Sequence, residues 1–171
     1  MKRLAALAPA LLLCTIPLAG CGLQPMYAGG GNGAVARGLS GIQVAAIEGR
    51  AGWLVRNALT DKLSASGNAS PRYRLDVRLD DQLDAFGLLR DDTVARERRT
   101  LRARYQLVDQ STDTIVLDAS TQADAGIDVV SSDYATIAAE QTALENLAKD
   151  VADRIVTSVA LQLRKGATAR P

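Results

Sequence analysis

Tyr73-Arg74-Leu75-Asp76-Val77-Arg78-Leu79-Asp80 alternates apolar and charged residues without a break. A period of two sends successive side chains to opposite faces of a strand. Carried on to Ala85, the alternation puts Tyr73, Leu75, Val77, Leu79 and Leu83 on one face. Arg72, Arg74, Asp76, Arg78, Asp80 and Asp84 take the other. Gly87 and Arg90-Asp91-Asp92 read as a hairpin loop. From Thr93 to Val108 the pattern resumes, with Leu101, Ala103, Tyr105 and Leu107 inward and Arg96, Arg98, Arg102 and Arg104 on the opposite parity. Asp109 to Asp113 is a polar turn, and Thr114 to Ala123 is a further strand with Ile115, Leu117 and Ala119 inward. The three strands predict an antiparallel meander with one apolar and one charged face.

Working outward, the segments on either side supply the cover for the apolar face. Leu39 to Ile47 reads as a first strand, with Ile42, Val44 and Ala46 on one side. Arg50 to Ala65 places Ala51, Leu54, Val55, Ala58, Leu59 and Leu63 at three- and four-residue spacing, an amphipathic helix. Ser66 to Pro71 ends it with turn residues. Asp133 to Lys165 carries a long apolar stripe through Ile137, Leu144, Leu147, Val151, Ile155, Val159 and Leu163. Ser131 or Ser132 can cap its start, and Gly166 is a natural stop. The expected fold is α+β, a two-layer sandwich in β-α-β-β-β-α order. Two helices pack on one face of a four-stranded sheet, and the other face is left to water or a partner. Trp53 and Tyr134, near the helix starts, are expected in the core.

The N-terminus has a different character. Met1-Lys2-Arg3 is a short basic start, and Leu4 to Leu18 is an apolar run too short for a membrane-spanning helix, which needs about 20 residues. It closes on Leu18-Ala19-Gly20-Cys21, which resembles the bacterial lipobox. There the thiol takes a diacylglyceryl group and the small residues admit the signal peptidase. Cys14 is a poor alternative, because Leu11-Leu12-Leu13 precedes it. Residues 1–20 are then a removed signal peptide, and 21–37 a lipidated start with a tether through Gly29-Gly30-Gly31-Asn32-Gly33. Residues 38–166 form a single domain and 167–171 a C-terminal tail. Position 22 is Gly rather than Asp, which resembles the default signal for the outer membrane, reached from the periplasmic side. Several acyl chains anchor strongly, each buried methylene contributing about 0.8 kcal/mol.

The 171 residues include 20 basic and 19 acidic side chains and no histidine. That removes the commonest general base and metal ligand. With two cysteines, one of them in the signal peptide, no zinc site or disulfide framework is expected. A net charge of +1 argues against nucleic-acid binding. No GxSxG motif occurs, and no serine has a histidine to activate it. The chain is read as neither an enzyme nor a cofactor carrier, the covalent lipid on Cys21 apart. The remaining signal is the charged strand face. On the first long strand Arg72, Arg74 and Arg78 balance Asp76, Asp80 and Asp84, whereas Arg96, Arg98, Arg102 and Arg104 on the second share their face of that strand with no acid. A surplus of arginine suits phosphate or carboxylate, which its planar fork binds through two parallel hydrogen bonds. Arg74, Arg78, Arg96, Arg98, Arg102 and Arg104 are therefore the candidate contacts for an anionic ligand or partner.

Cys21-Gly22-Leu23-Gln24-Pro25-Met26-Tyr27 after the lipobox, Gly41-Ile42-Gln43-Val44, the meander and the alanine-rich last helix together resemble the lipopolysaccharide-assembly lipoprotein family LptE, in its alphaproteobacterial form. The resemblance implies an outer-membrane lipoprotein that plugs the LptD β-barrel, helps it assemble, and takes part in lipopolysaccharide transport. It implies lipidation of Cys21, with palmitate completing the anchor. The arginine assignment is inferred from alternation and is not carried over from the family. The alternatives are an auxiliary lipoprotein subunit of another lipid-transport system and, from another class, a lipid-anchored hydrolase.

Overall fold

The computed structural model describes residues 33–65, 70–88 and 94–168; the signal peptide, Cys21, the tether before Gly33 and the Arg90–Asp92 loop lie outside them. The elements run α1 (Ala34–Ser40), β1 (Ile42–Val44), α2 (Gly49–Ser64), β2 (Tyr73–Leu88), β3 (Val94–Asp109), β4 (Thr114–Asp128) and α3 (Asp133–Thr168). They build one four-stranded sheet in the order β1-β2-β3-β4. β1 is parallel to β2, and the remaining pairs are antiparallel. This is the α+β, two-layer arrangement expected, with the meander as read.

Three differences have physical causes. Residues expected as tether and first strand fold instead as α1, which buries Val35, Ala36 and Leu39 and leaves β1 three residues. The short apolar spacing Val35–Leu39 is one helical turn, and a tether reading overlooks it because glycines precede it. A bulge between Leu107 and Val108 shifts the parity of β4, so Ile115, expected inward, is 56% exposed and Val116 packs toward the core. Trp53 and Tyr134, expected in the core, are 63% and 83% exposed. Trp53 sits on α2 between the buried Gly52 and the half-buried Leu54, on the outward side of the turn. Tyr134 lies in the first turn of α3, ahead of the first buried apolar position of that helix, Leu144.

The core lies between the sheet and the helices. Leu75, Leu101 and Leu107 from the sheet meet Val55 and Leu59 of α2 and Leu144, Val151, Ile155 and Val159 of α3, all nearly or fully inaccessible. Each such side chain stabilises by about 1.5–3 kcal/mol. At 1.5 Å per residue the 36 residues of α3 span about 54 Å, matching strands of 16 residues at about 3.3 Å each. Gly166 does not end the helix, which runs through it to Thr168. All three helices lie on the apolar side, so among the described residues nothing covers the opposite face. Among the described residues no helix is long and apolar enough to cross a membrane.

The core thins toward the β2–β3 hairpin. Leu75 and Val77 are buried, Leu79 is half-buried, and Leu83 is 43% exposed. Where apolar cover runs out, the inward positions turn polar. Arg99 Nη2 lies 2.7 Å from Asp81 Oδ2, and its Nη1 donates to the Glu140 carbonyl of α3 at 3.2 Å. This ties the far end of the sheet to the helix above it.

Candidate functional site: the charged sheet face

The open face is built by the even-numbered residues of β2, β3 and β4. Cross-strand register sets Arg78 opposite Arg104, Asp80 opposite Arg102 and Asp84 opposite Arg98. On the other side of β3, Arg104 faces Ser120, Arg102 faces Gln122 and Arg96 faces Asp128. The six arginines named from the sequence thus come together on one surface.

The strand β4 changes the charge count. The alternation predicts an end at Ala123, but the strand continues to Asp128 and its even positions hold Asp118, Asp124 and Asp128. Arg74, Arg78, Arg96, Arg98, Arg102 and Arg104 now stand against Asp76, Asp80, Asp84, Asp118, Asp124 and Asp128, six against six. Arg72 turns away to Asp109 at the strand ends, 3.1 Å between Nη2 and Oδ2. The expected surplus of positive charge is therefore absent from this face. The sequence signal that carried it was available in Asp118-x-Ser120-x-Gln122-x-Asp124, a continuing polar alternation.

Balance over the whole face is not balance at each arginine. Arg104 is paired with Asp118 at 3.0 Å, Arg96 with Asp128 at 2.8 Å and Arg74 with Asp76 at 3.0 Å. The bond to Asp118 raises the Arg104 pKa, and the same bond, helped by Gln106 Nε2 at 2.8 Å, holds the Asp118 carboxyl below its ordinary value. Arg102 has a side-chain amide for partner, Gln122 Oε1 at 3.2 Å. Arg98 lies over the Phe86 ring, 5.1 Å from its centroid. Arg78 has no ion-pair partner among the described residues. Among the described residues, Arg78, Arg98 and Arg102 thus retain guanidinium charge that no carboxylate has claimed. A shallow hollow lined by Arg78, Asp80, Arg102, Arg104, Ser120 and Gln122 lies at the centre of the face.

Chemically the face can hold an anion or a charged protein surface by hydrogen bonds. Among the described residues no group of three His, Cys, Asp or Glu side chains is placed to hold a metal ion.

A family model described as LptE, lipopolysaccharide-assembly, matches residues 39–159. No curated protein matches significantly. Among solved structures, a chain described as a lipoprotein from Caulobacter crescentus CB15 is 29% identical, with a TM-score of 0.65 over 81% of this chain and 99% of that one. A lipoprotein B from Nitrosomonas europaea, 15% identical, shares the fold at a TM-score of 0.55, covering 70% of this chain and 79% of its own. A minor lipoprotein from Acinetobacter baumannii, 12% identical, does so at 0.53, covering 70% and 91%. The match spans the sheet and most of both long helices, including every arginine and aspartate of the charged face. The chain belongs to the LptE family of lipopolysaccharide-assembly proteins.

Proposed function

We propose that this protein is the lipid-anchored partner of the outer-membrane barrel LptD, which it plugs, and that it takes part in passing lipopolysaccharide into the outer membrane. The anchor is Cys21, carrying diacylglyceryl and palmitoyl chains, and it holds the domain on the periplasmic side. The observation that carries the reading is the sheet face, covered by none of the described residues, with its six arginines and six aspartates. A water-exposed barrel interior is polar, and a face of interleaved charges suits it better than an apolar one. The role is non-catalytic, as expected of the family.

Within this reading the lipid A phosphates meet Arg78, Arg98 and Arg102, the arginines of the face that no carboxylate neutralises among the described residues. Arg96, Arg104 and Arg74 serve the face by pairing within it. This differs from the alternation alone, which favours Arg96, Arg98, Arg102 and Arg104 of the second long strand.

The test is a mild-detergent pull-down of the full-length tagged protein from outer membranes. Recovery of a stable large barrel protein supports the plug. Recovery alone, or with inner-membrane transport subunits, sinks it in favour of an auxiliary lipoprotein of another lipid-transport system. A second arm compares lipopolysaccharide binding of Arg78, Arg98 and Arg102 changed together to Gln with that of Arg96 and Arg104 changed to Gln. The first set should lose binding by tenfold or more and the second much less; equal losses would remove the distinction drawn here.

A further inference from the structure

One end of the sheet is notched. Between α1 and the last turns of α3, beside the start of β2, lies a cleft of about 570 Å³, within the 300–1,000 Å³ of clefts that hold ligands. Gly38 and Gly41 form its α1 wall, Leu163, Gly166 and Ala167 its α3 wall, and Tyr73 lines the strand side. α1 meets α3 tightly at Gly38, where a Cβ would stand 2.9 Å from Leu163 Cδ1. At Gly166 the opposite holds, and a Cβ there would meet nothing within 4 Å among the described residues. Glycine weakens a helix interior relative to alanine, because it has more conformational freedom to lose. No described residue requires the bare backbone of Gly166, so the folded domain alone does not explain it. A segment passing close against the helix at this point would, since close approach is what glycine permits. The nearest charges are already engaged: Arg72 is bonded to Asp109 at 3.1 Å and lies 5.1 Å over the Tyr73 ring.

The chain that enters α1 carries a segment of matching chemistry. Leu23-Gln24-Pro25-Met26-Tyr27 holds the large apolar side chains between Cys21 and Gly33, and no charged residue occurs from Gly22 to Ala36. A spacer has no use for such side chains, whereas an apolar cleft stabilises each one it takes out of water. Reach is ample. Tyr27 precedes Gly33 by six residues, up to about 20 Å of chain. The seven residues of α1 extend only about 10 Å. Gly29-Gly30-Gly31-Asn32-Gly33 between them can reverse direction, because glycine adopts either sign of φ.

We infer that Leu23–Tyr27 folds back into the cleft between α1 and α3 of its own chain, with the closest backbone approach at Gly166. Docked, it leaves Gly22 as the one residue between Cys21 and the folded protein. The α1 end of the sheet is then held at the membrane surface, and the charged face with Arg78, Arg98 and Arg102 stays free. The inference shares the lipidated Cys21 with the proposed function but uses neither the barrel nor lipopolysaccharide, so the two fail separately.

Disulfide trapping within the full-length protein in membranes tests it. Met26→Cys is combined with Ala167→Cys in the cleft or, as a control, with Thr157→Cys at an exposed position of α3 outside it. The linked peptides are quantified by mass spectrometry after non-reducing digestion. The 26–167 link is expected at least tenfold above the 26–157 link. Gly166→Leu fills the α3 wall where the domain has room. It should cut the 26–167 link at least tenfold while the thermal unfolding midpoint stays unchanged. Equal trapping at both positions, indifference to Gly166→Leu, or absence of the 26–167 link would overturn the inference and leave the segment a spacer. So would a link from position 167 to a different protein, which would give the cleft to a partner.

Discussion

Arg104 Nη2 lies 3.0 Å from Asp118 Oδ2, joining β3 to β4 across the open face. Both groups are well hydrated, so the pair contributes little to stability; its effect is to keep one arginine occupied. Replacing Asp118 with Asn should leave the thermal unfolding midpoint nearly unchanged while raising affinity for lipopolysaccharide, because Arg104 joins the unclaimed guanidinium groups. Calorimetric titration against purified lipopolysaccharide, beside a thermal melt, reads both. Unchanged affinity would mean that the pairing state of Arg104 does not matter to the ligand.

The Arg99–Asp81 pair lies on the other face and behaves differently. Its side chains are only 17% and 24% exposed, and the bond to Asp81 raises the Arg99 pKa against the cost of burial. Exposed pairs contribute up to about 1 kcal/mol, and breaking a fully buried one costs about 3–5. Asp81→Ala should therefore fall between, near 2 kcal/mol, because Arg99 is left half-buried without its carboxylate. Arg99→Met combined with Asp81→Ala should be less destabilised than the sum of the two single changes. Urea denaturation of the four proteins in a double-mutant cycle checks it.

Much of this fold is legible because its sheet obeys a period of two. Leu101, Ala103, Tyr105 and Leu107 are all buried where alternation puts them. What escaped the pattern did so for local reasons. The bulge at Leu107 and Val108 inserts a residue that no hydropathy count reveals, and it turned Ile115 outward. Arg99, on the inward parity, looks like one more cation of a basic run, and only the α3 carbonyl above it shows why the position tolerates charge. The alternation puts the six arginines on one face, as the register does, but it misses that face's electrostatics. The charge of a sheet face belongs to all its strands, and Asp118, Asp124 and Asp128 come from a third strand that the two arginine-bearing strands do not reveal.

Gly52, inside α2, is a second case where local preference misleads. Alanine is normally the better helix residue by about 1 kcal/mol. Here a Cβ would stand 2.6 Å from the Ile47 carbonyl oxygen and 2.7 Å from its carbon, both backbone atoms. Gly52→Ala should destabilise by about 1–3 kcal/mol, the usual penalty of overpacking, seen as a lower denaturant midpoint. A gain in stability would show that the β1–α2 connection yields to the methyl group at no cost.

Asp109 gives the acid limb of stability a specific origin. It is buried at the end of β3, where Ser111 Oγ donates at 2.6 Å, Ser111 N–H at 3.0 Å and Arg72 Nη2 at 3.1 Å. These bonds, the Ser111 hydroxyl first, hold its carboxyl below the ordinary 3.8. A carboxyl lowered in the folded state binds its proton more readily once the chain unfolds. Its contribution is therefore complete above the unfolded value and is lost as pH falls through that value toward the folded one. Unfolding free energy should thus decline from about pH 5 downward, and Asp109→Asn should flatten that decline. The variant starts less stable at neutral pH, having exchanged a charged acceptor for an amide, and the gap to the unmodified protein should narrow on acidification. Urea titrations at pH 7, 5 and 3.5, values chosen to bracket the ordinary carboxylate range, measure the gap. If it stayed constant across them, the proton taken up on acid unfolding would belong to another carboxylate, with Asp118, lowered by Arg104 and Gln106, the next to examine.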